Sequence, residues 1–228
     1  MKSVEETYKK FSQIEHVLNK PGMYIGSIDN ITNKQLIYEK GSIVENSILY
    51  NPGLYKIIDE LIVNAYDQSI RDKTLNEINV SISSDTFTIF NSGTGIPIEK
   101  HKDYNIYVPE LIFGNLLTSS NYDTTEQRVT GGTHGIGSKA SNIFSKKFIV
   151  EVWTNKKYYK QIFENNLSII NKPIIENNNF KKTGVQITCQ PDFEKFNCKN
   201  FSDDMQKLIQ VHKYYNLYVF LLEYLFLN

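Results

Sequence analysis

The feature that most limits the fold of this chain is a glycine-rich stretch, GGTHGIGSKAS, at residues 131–141. A P-loop needs a lysine directly after its last glycine, but Ser138 separates Gly137 from Lys139 here. A dinucleotide-binding fingerprint should follow a hydrophobic strand, whereas the preceding SSNYDTTEQRVT is polar. Two interpretations remain: a flexible turn, or a glycine-rich lid whose backbone amides wrap a phosphate in some other fold.

Composition excludes several classes of protein. The 228 residues carry 25 basic and 25 acidic side chains, so no global charge indicates nucleic acid or a membrane surface. Cys189 and Cys198 lack the spacing of a zinc site or a disulfide framework, which favours a reducing, intracellular setting. The N-terminus carries no apolar run, so the sequence does not predict a secretory signal. The apolar stretch at 214–228 is interrupted by Glu223 and is shorter than a membrane span, which needs about 20 residues.

Residues 54–70 give the clearest helix. Leu54, Ile57, Ile58, Leu61, Ile62 and Ala65 follow helical spacing and predict one core-facing stripe. At about 100° per residue, Glu60, Asn64 and Asp67 share a second face of this helix. This face is either solvated, as on most helices, or a metal or nucleotide site. The second alternative is favoured because asparagine suits a helix interior poorly and carboxylates flank it one turn away on each side.

Strands are predicted around this helix. INVSIS at 78–83 and TFTIF at 86–90 form a predicted hairpin that leads into a second glycine loop, NSGTGIP, at 91–97. Further strands are predicted at 148–153, 158–163 and 185–189. An N-terminal helix is predicted to end at Pro21-Gly22, and ENNNFKK at 176–182 has the polar composition of a turn. The order predicts an α+β fold, a two-layer α/β sandwich with helices on one face of a mixed, mostly antiparallel sheet.

The ordered motifs E-x-x-x-N-x-x-D, N-x-G-x-G and G-x-H-G-x-G resemble the Bergerat ATP-binding fold of the GHKL superfamily. That superfamily includes gyrase-type topoisomerases, heat-shock chaperones, mismatch-repair ATPases and histidine kinases. The stretch YVPELIFGNLLTSSNYD…VTGG at 107–132 is similar to the ATPase region of type IIA DNA topoisomerases, closest to the eukaryotic and large-virus enzymes. So are QIEHVLNKPGMYIGS, NIFSKKF and QPDFEKF. The resemblance extends to about residue 200.

The resemblance implies ATP and Mg²⁺ as cofactors, and it implies roles for individual residues. Glu60 would be the general base that acts on the attacking water, and Asn64 would be the Mg²⁺ ligand. Asn91 would accept from the adenine amino group. The other residues implied to contact ATP are Tyr8 from the partner subunit's N-terminal arm, Asp67, Gly95, Ser119, Ser120, Asn121, Gly132, Thr133, His134, Gly135, Ile136, Gly137, Ser138 and Lys139. Plainer alternatives are a turn at Asn91, a helix cap at 119–121 and core packing of Tyr8.

Two residues depart from the family pattern. His134 stands where eukaryotic relatives usually have asparagine, and Val185 stands where many have a threonine that helps to hold adenine. Valine cannot form that hydrogen bond, so weaker adenine affinity is expected.

A single ATPase domain is expected over residues 1–228, with an N-terminal arm at 1–27, a nucleotide-binding core at 28–200 and a divergent tail at 201–228 without the transducer domain of the family. The resemblance implies an ATP-hydrolysing module that drives dimerisation at the N-terminal gate for DNA strand passage. The alternative is an ATP-dependent clamp with little hydrolysis. DNA contact would come from other regions or a partner subunit. The expected location is intracellular: the nucleus in a eukaryote, otherwise the cytoplasm, or a host or virion factory for a virus.

Overall fold

The computed structural model describes residues 11–116 and 137–211. The helices are α1 (Gln13–Asn19), α2 (Pro52–Arg71), α3 (Val108–Gly114), α4 (Gly137–Ile143) and α5 (203–211). The strands are β1 (Ile31–Glu39), β2 (Ser42–Tyr50), β3 (Ile78–Ile82), β4 (Phe87–Ser92), β5 (Ser145–Trp153), β6 (Lys157–Glu164), β7 (Ile169–Ile170), β8 (Ile174–Asn177) and β9 (Gly184–Pro191). Short 3-10 turns occupy Pro21–Met23 and Phe193–Phe196.

Seven strands form the main sheet, in the order β3-β4-β9-β5-β6-β7, with β8 also paired to β6. Each pairing within the described part is antiparallel. The predicted hairpin is confirmed, with Ile82 opposite Phe87, and the three later predicted strands lie within β5, β6 and β9. Sequence alternation therefore locates the strands that carry the second glycine loop.

The separate hairpin of β1 and β2 was not predicted. Its turn is Lys40-Gly41, and both residues have positive φ, 49° and 90°. Such a turn matches the right-handed twist of two flanking strands, and glycine in it is a recognisable hairpin signal. The polar ENNNFKK segment also differs in part from a simple turn, because its first two residues complete β8.

Helix α2 covers one face of the main sheet and forms the second layer. It begins after Asn51, whose side chain accepts a hydrogen bond from the backbone N–H of Leu54, and Pro52 occupies the first turn. The predicted stripe, from Leu54 to Ala65, is buried and belongs to the same core cluster as Phe87 and Ile89 of β4. The two-layer α+β sandwich is thus confirmed, with α2 fixed over the strand that ends in the second glycine loop.

Both ends of the described chain pack on this core. Helix α1 starts with a capping box between Ser12 and Glu15, and it ends just before Pro21, as predicted. Val17 is buried in the core cluster, and so are Met205 and Ile209 of α5. Within the described residues, α5 therefore belongs to the packed body. No helix among those residues is long and apolar enough to cross a membrane.

Candidate functional site

The polar face of α2 carries the three predicted residues in different environments. Asn64 is exposed, Glu60 is half-buried and Asp67 is buried. Lys56, one turn before Glu60, places its Nζ atom 2.7 Å from Glu60 Oε1 and 3.6 Å from Asp59 Oδ2. Burial opposes the charge of Lys56, but the hydrogen bond and negative charge of Glu60 outweigh it and raise the pKa of the lysine. The Glu60 carboxylate is thus held in place by a charged neighbour on the same helix.

The first described residue of the glycine-rich stretch, Gly137, lies directly against Glu60. A Cβ atom at Gly137 would lie only 1.9 Å from Glu60 Oε2 and 2.7 Å from Glu60 Cδ. Residue 137 must therefore be glycine if the carboxylate is to keep this position. The fold brings the end of the third motif into contact with the first residue of the first motif.

A hydrogen bond fixes this approach of α4 to α2. Ser141 Oγ donates to the backbone oxygen of Ile57 at 2.7 Å, inside the core. One turn of α4 separates Ser141 from Gly137, and one turn of α2 separates Ile57 from Glu60. The bond therefore ties the two helices together immediately beside the Glu60 carboxylate.

Lys139 is almost completely buried, with 2% of its surface exposed. Burial penalises the charged ammonium and lowers the pKa of Lys139 to about 8. Ser138 beside it is only partly buried. At neutral pH Lys139 keeps a positive charge in a largely dry environment, which strengthens any contact with an anion.

The second glycine loop begins with Asn91, which is buried at the end of β4. Its side-chain amide donates to the backbone oxygen of Ser92 at 3.1 Å, so the side-chain carbonyl is the end that can accept a further hydrogen bond. Val185 is its cross-strand partner on β9. Asn91, which is predicted to bind adenine, therefore lies beside Val185, whose side chain cannot form a hydrogen bond to adenine.

Gly95, four residues further, is pressed against the end of β5. Its φ is +76°, and a Cβ there would lie 2.7 Å from the backbone oxygen of Trp153. Both the positive φ and the close backbone approach require glycine. The N-x-G-x-G motif is thus a tight turn packed at the edge of the core.

The side-chain oxygens on α2 could bind Mg²⁺ only together with further ligands. Among the described residues, no group of three or more His, Cys, Asp or Glu side chains could hold a metal ion alone. Asn64 offers an exposed amide oxygen, and Mg²⁺ is usually bound by one or two protein oxygens together with water and substrate phosphates. The residues present therefore fit a metal that arrives with a phosphate ligand.

Several predicted site residues lie outside the described residues: Tyr8, Ser119, Ser120, Asn121, Gly132, Thr133, His134, Gly135 and Ile136. Of the remainder, the structure brings Glu60 and Gly137 into contact, and it carries Asn91 and Gly95 on the loop after β4. Sequence reasoning missed Lys56, although its spacing of four residues from Glu60 is the spacing of a helical ion pair. It also missed Asp72, the residue that follows α2.

Comparison with known proteins places this geometry in a family. Residues 50–194 match the model of the histidine kinase-, DNA gyrase B- and HSP90-like ATPases, and the chain belongs to this family. Over 212 residues it is 44% identical to DNA topoisomerase 2 of Arabidopsis thaliana, and over 209 residues it is 43% identical to that of Saccharomyces cerevisiae. These matches cover 91% and 89% of this chain but only 14% and 15% of the relatives.

The fold, like the sequence, is similar to that of known type II topoisomerases. The crystal structure of the ATPase region of Saccharomyces cerevisiae topoisomerase II superposes with a TM-score of 0.88 at 41% identity, over 91% of this chain and 57% of that one. The ATPase and transducer domains of DNA topoisomerase II from Balamuthia mandrillaris give the same TM-score at 37% identity. The chain is thus similar to part of the ATPase region of type II DNA topoisomerases, and it spans about one seventh of the length of the curated relatives.

Proposed function

We propose that this chain binds and hydrolyses ATP as the N-terminal module of a type IIA DNA topoisomerase. The observation that carries the proposal is the contact between Gly137 and the Glu60 carboxylate. It joins the helix that would hold the general base to the glycine-rich stretch that would hold the phosphates. The Asn91 loop, attached to the same core, would receive the adenine.

The proposed reaction is an in-line attack of water on the γ-phosphorus of ATP. Glu60 orients this water and accepts its proton, while backbone N–H groups around 132–138 and the Lys139 ammonium hold the phosphate oxygens. Asn64 would hold Mg²⁺, which, when bound, neutralises charge on the phosphates. Asn91 accepts from the adenine amino group, and Gly95 keeps the adenine loop close to β5.

Nucleotide binding would drive dimerisation of the assembled protein at its N-terminal gate, with Tyr8 reaching into the partner's site. DNA contacts would come from other regions or from a partner subunit. Within the described residues, Cys189 and Cys198 are free thiols, which supports an intracellular location, nuclear if the source is eukaryotic like the relatives above.

A second candidate is an ATP-dependent clamp with little hydrolysis of its own. The observation that favours it is the 2.7 Å ion pair between Lys56 and Glu60, in which the ammonium occupies Oε1 of the carboxylate that would act on the water. Single-turnover hydrolysis of bound ATP separates the candidates. The clamp is supported if ATP stays intact for hours on the bound protein, and the hydrolase is supported if it is converted to ADP.

Binding of a non-hydrolysable ATP analogue, followed by calorimetry, should depend on Mg²⁺ and on Asn64. We expect Asn64→Ala to weaken binding about ten-fold in Mg²⁺, the worth of one good polar contact, and excess EDTA to weaken binding by the wild type. Gln68→Ala, which removes an amide one turn further along α2, is the matched control and should bind normally. Equal affinity with Mg²⁺ and with EDTA would contradict the Asn64 assignment.

Affinity for the same analogue should fall as the pH rises above about 8. Burial lowers the pKa of Lys139 to about 8, so the free protein loses this charge above that pH, whereas bound phosphates favour the ammonium. Binding then requires proton uptake, and we expect affinity to fall about five-fold from pH 8 to pH 9. Phosphate groups have finished titrating by then, since their second pKa is near 6. In Lys139→Met the affinity should be lower and flat over this range, and a flat wild-type profile would refute the role of Lys139.

A further inference from the structure

Asp72, directly after α2, makes four hydrogen bonds through its carboxylate. Oδ1 accepts from the backbone N–H and the hydroxyl of Thr74, at 3.0 and 2.6 Å. Oδ2 accepts from the backbone N–H and the hydroxyl of Thr94, at 2.7 and 2.9 Å. The first pair is an ordinary local turn, but the second pair reaches the second glycine loop. One carboxylate oxygen thus accepts hydrogen bonds from the segment after α2, and the other accepts hydrogen bonds from the loop that follows Asn91.

The backbone of the glycine loop is shaped around this carboxylate. Gly93 has a φ of +116°, and a Cβ atom there would lie 2.6 Å from Asp72 Oδ2. An L-residue with a side chain would therefore be strained and would also displace the carboxylate. The loop conformation and the position of Asp72 depend on each other.

A second set of bonds joins the same two segments. Ser92 Oγ accepts from the backbone N–H groups of Asn76 and Glu77, both at 3.0 Å, and donates to Asn76 Oδ1 at 2.9 Å. The backbone N–H of Ser92 donates to the oxygen of Glu77. The segment after α2 is thus bonded to both residues that flank Gly93.

Asp72 is also fixed to α2 itself. Its backbone N–H donates to the oxygen of Gln68 at 2.8 Å and closes the last turn of the helix. The hydrogen bond from the Thr74 hydroxyl lowers the pKa of Asp72 most, and the bonds from the Thr74 backbone and from Thr94 lower it further. Together they hold this pKa at about 2, although burial raises it. The carboxylate is therefore ionised and fully able to accept at any working pH.

We propose that Asp72 is a positioning residue for base recognition, which locks the Asn91 loop to the helix that carries Glu60 and Asn64. This inference rests on the proposed function and adds to it how the adenine-binding and phosphate-binding halves of the site are held at a fixed separation. Asp72 does not touch the nucleotide in this scheme; it acts through Thr94 and Gly93 on Asn91.

Asp72→Asn is the most direct variant, because asparagine keeps the shape but has only one side-chain oxygen. The amide nitrogen must then face either Thr74 or Thr94, so the bond from one backbone N–H is lost whichever way the side chain turns, while the facing hydroxyl can rotate and accept from the amide instead. The bonds from Thr74 should persist in the variant, because Thr74 lies only two residues from Asp72 in the chain. We therefore expect the bond from the Thr94 backbone N–H to be lost and the glycine loop to loosen.

The experiment compares two ligands on each protein in Mg²⁺: a non-hydrolysable ATP analogue and inorganic tripolyphosphate, which lacks the base. In Asp72→Asn we expect the Kd for the analogue to rise about ten-fold and the Kd for tripolyphosphate to change less than two-fold. Thr94→Val, which removes one donor from an exposed side chain, should shift the Kd for the analogue in the same direction by a smaller factor. It is the milder variant if Asp72→Asn does not fold. Asp85→Asn is the matched control, since Asp85 also accepts from two hydroxyls in a turn but lies at the far end of the β3–β4 hairpin.

The outcomes separate this inference from the proposed function. A wild type that binds neither ligand contradicts the proposed function itself. Normal analogue binding by Asp72→Asn and Thr94→Val overturns the role of Asp72 while leaving the function intact. Equal losses for both ligands also overturn it, because they would show a general structural defect rather than a loss of base recognition.

Discussion

Replacement of Gly137 by alanine is expected to reduce ATP hydrolysis at least 100-fold while the protein stays folded. The new methyl group would lie 1.9 Å from Glu60 Oε2, so the carboxylate must move. Because the clashing atom is the end of a flexible side chain, Glu60 can swing aside at little cost in stability, and alanine is itself the better helix residue. A displaced base contributes nothing to the reaction, and a positioned base is typically worth 10²–10⁴-fold in rate.

The measurement is steady-state ATP turnover together with the thermal unfolding midpoint. Turnover is best measured in a chimera that carries the remaining part of the yeast ATPase region, of which this chain matches 57%. Gly22→Ala is the matched control, because a Cβ at Gly22 meets no atom within 4 Å, and it should leave turnover unchanged. Near-normal turnover in Gly137→Ala would mean that Glu60 does not act from the position it occupies here.

Glu60→Gln is expected to lower turnover by the same 10²–10⁴-fold while the affinity for ATP changes less than about three-fold. Glutamine keeps the volume and helix propensity of glutamate but cannot accept the proton. Nucleotide affinity would come instead from Asn91, the glycine-rich stretch and Mg²⁺, so the two properties should separate. Turnover and calorimetric affinity are measured on the same preparation.

Asp59→Asn is the control for this variant, because Asp59 is the adjacent carboxylate on α2 and also pairs with Lys56. It should retain turnover within about two-fold. The double variant Gly137→Ala, Glu60→Gln should be no slower than the slower single variant, since both changes remove the same group. If Glu60→Gln lost affinity in proportion to turnover, Glu60 would be a structural or metal-site residue instead.

The sequence was sufficient for the parts of the fold that repeat with a simple period. The apolar stripe of α2 predicted both its existence and its buried face, and alternation predicted the hairpin of β3 and β4. The hairpin of β1 and β2 was missed because its alternation is weak: many of its side chains are polar and exposed. Its Lys40-Gly41 turn was the clearest remaining signal.

The sequence predicted which residues form the candidate site, but it did not predict how they are arranged in space. Spacing placed Glu60, Asn64 and Asp67 on one helical face, yet it could not show that Asp67 is buried while Asn64 is exposed. The contact between Glu60 and Gly137 joins residues far apart in the chain, and only the packing of α4 on α2 creates it. Asp72 was missed for the same reason, because half of its side-chain hydrogen bonds go to a loop that follows two intervening strands.

Hydrogen exchange with and without a non-hydrolysable ATP analogue and Mg²⁺ tests most directly whether the separate motifs form one nucleotide site. We expect slower exchange on binding in three segments together: residues 58–66 of α2, 92–96 of the second glycine loop and 137–142 of α4, because a bound ligand raises the free energy of local opening. The sheet edge at 169–177 should exchange at the same rate in both states. Protection that appeared in only one of the three segments, or at the sheet edge instead, would contradict a single ATP site built from these motifs.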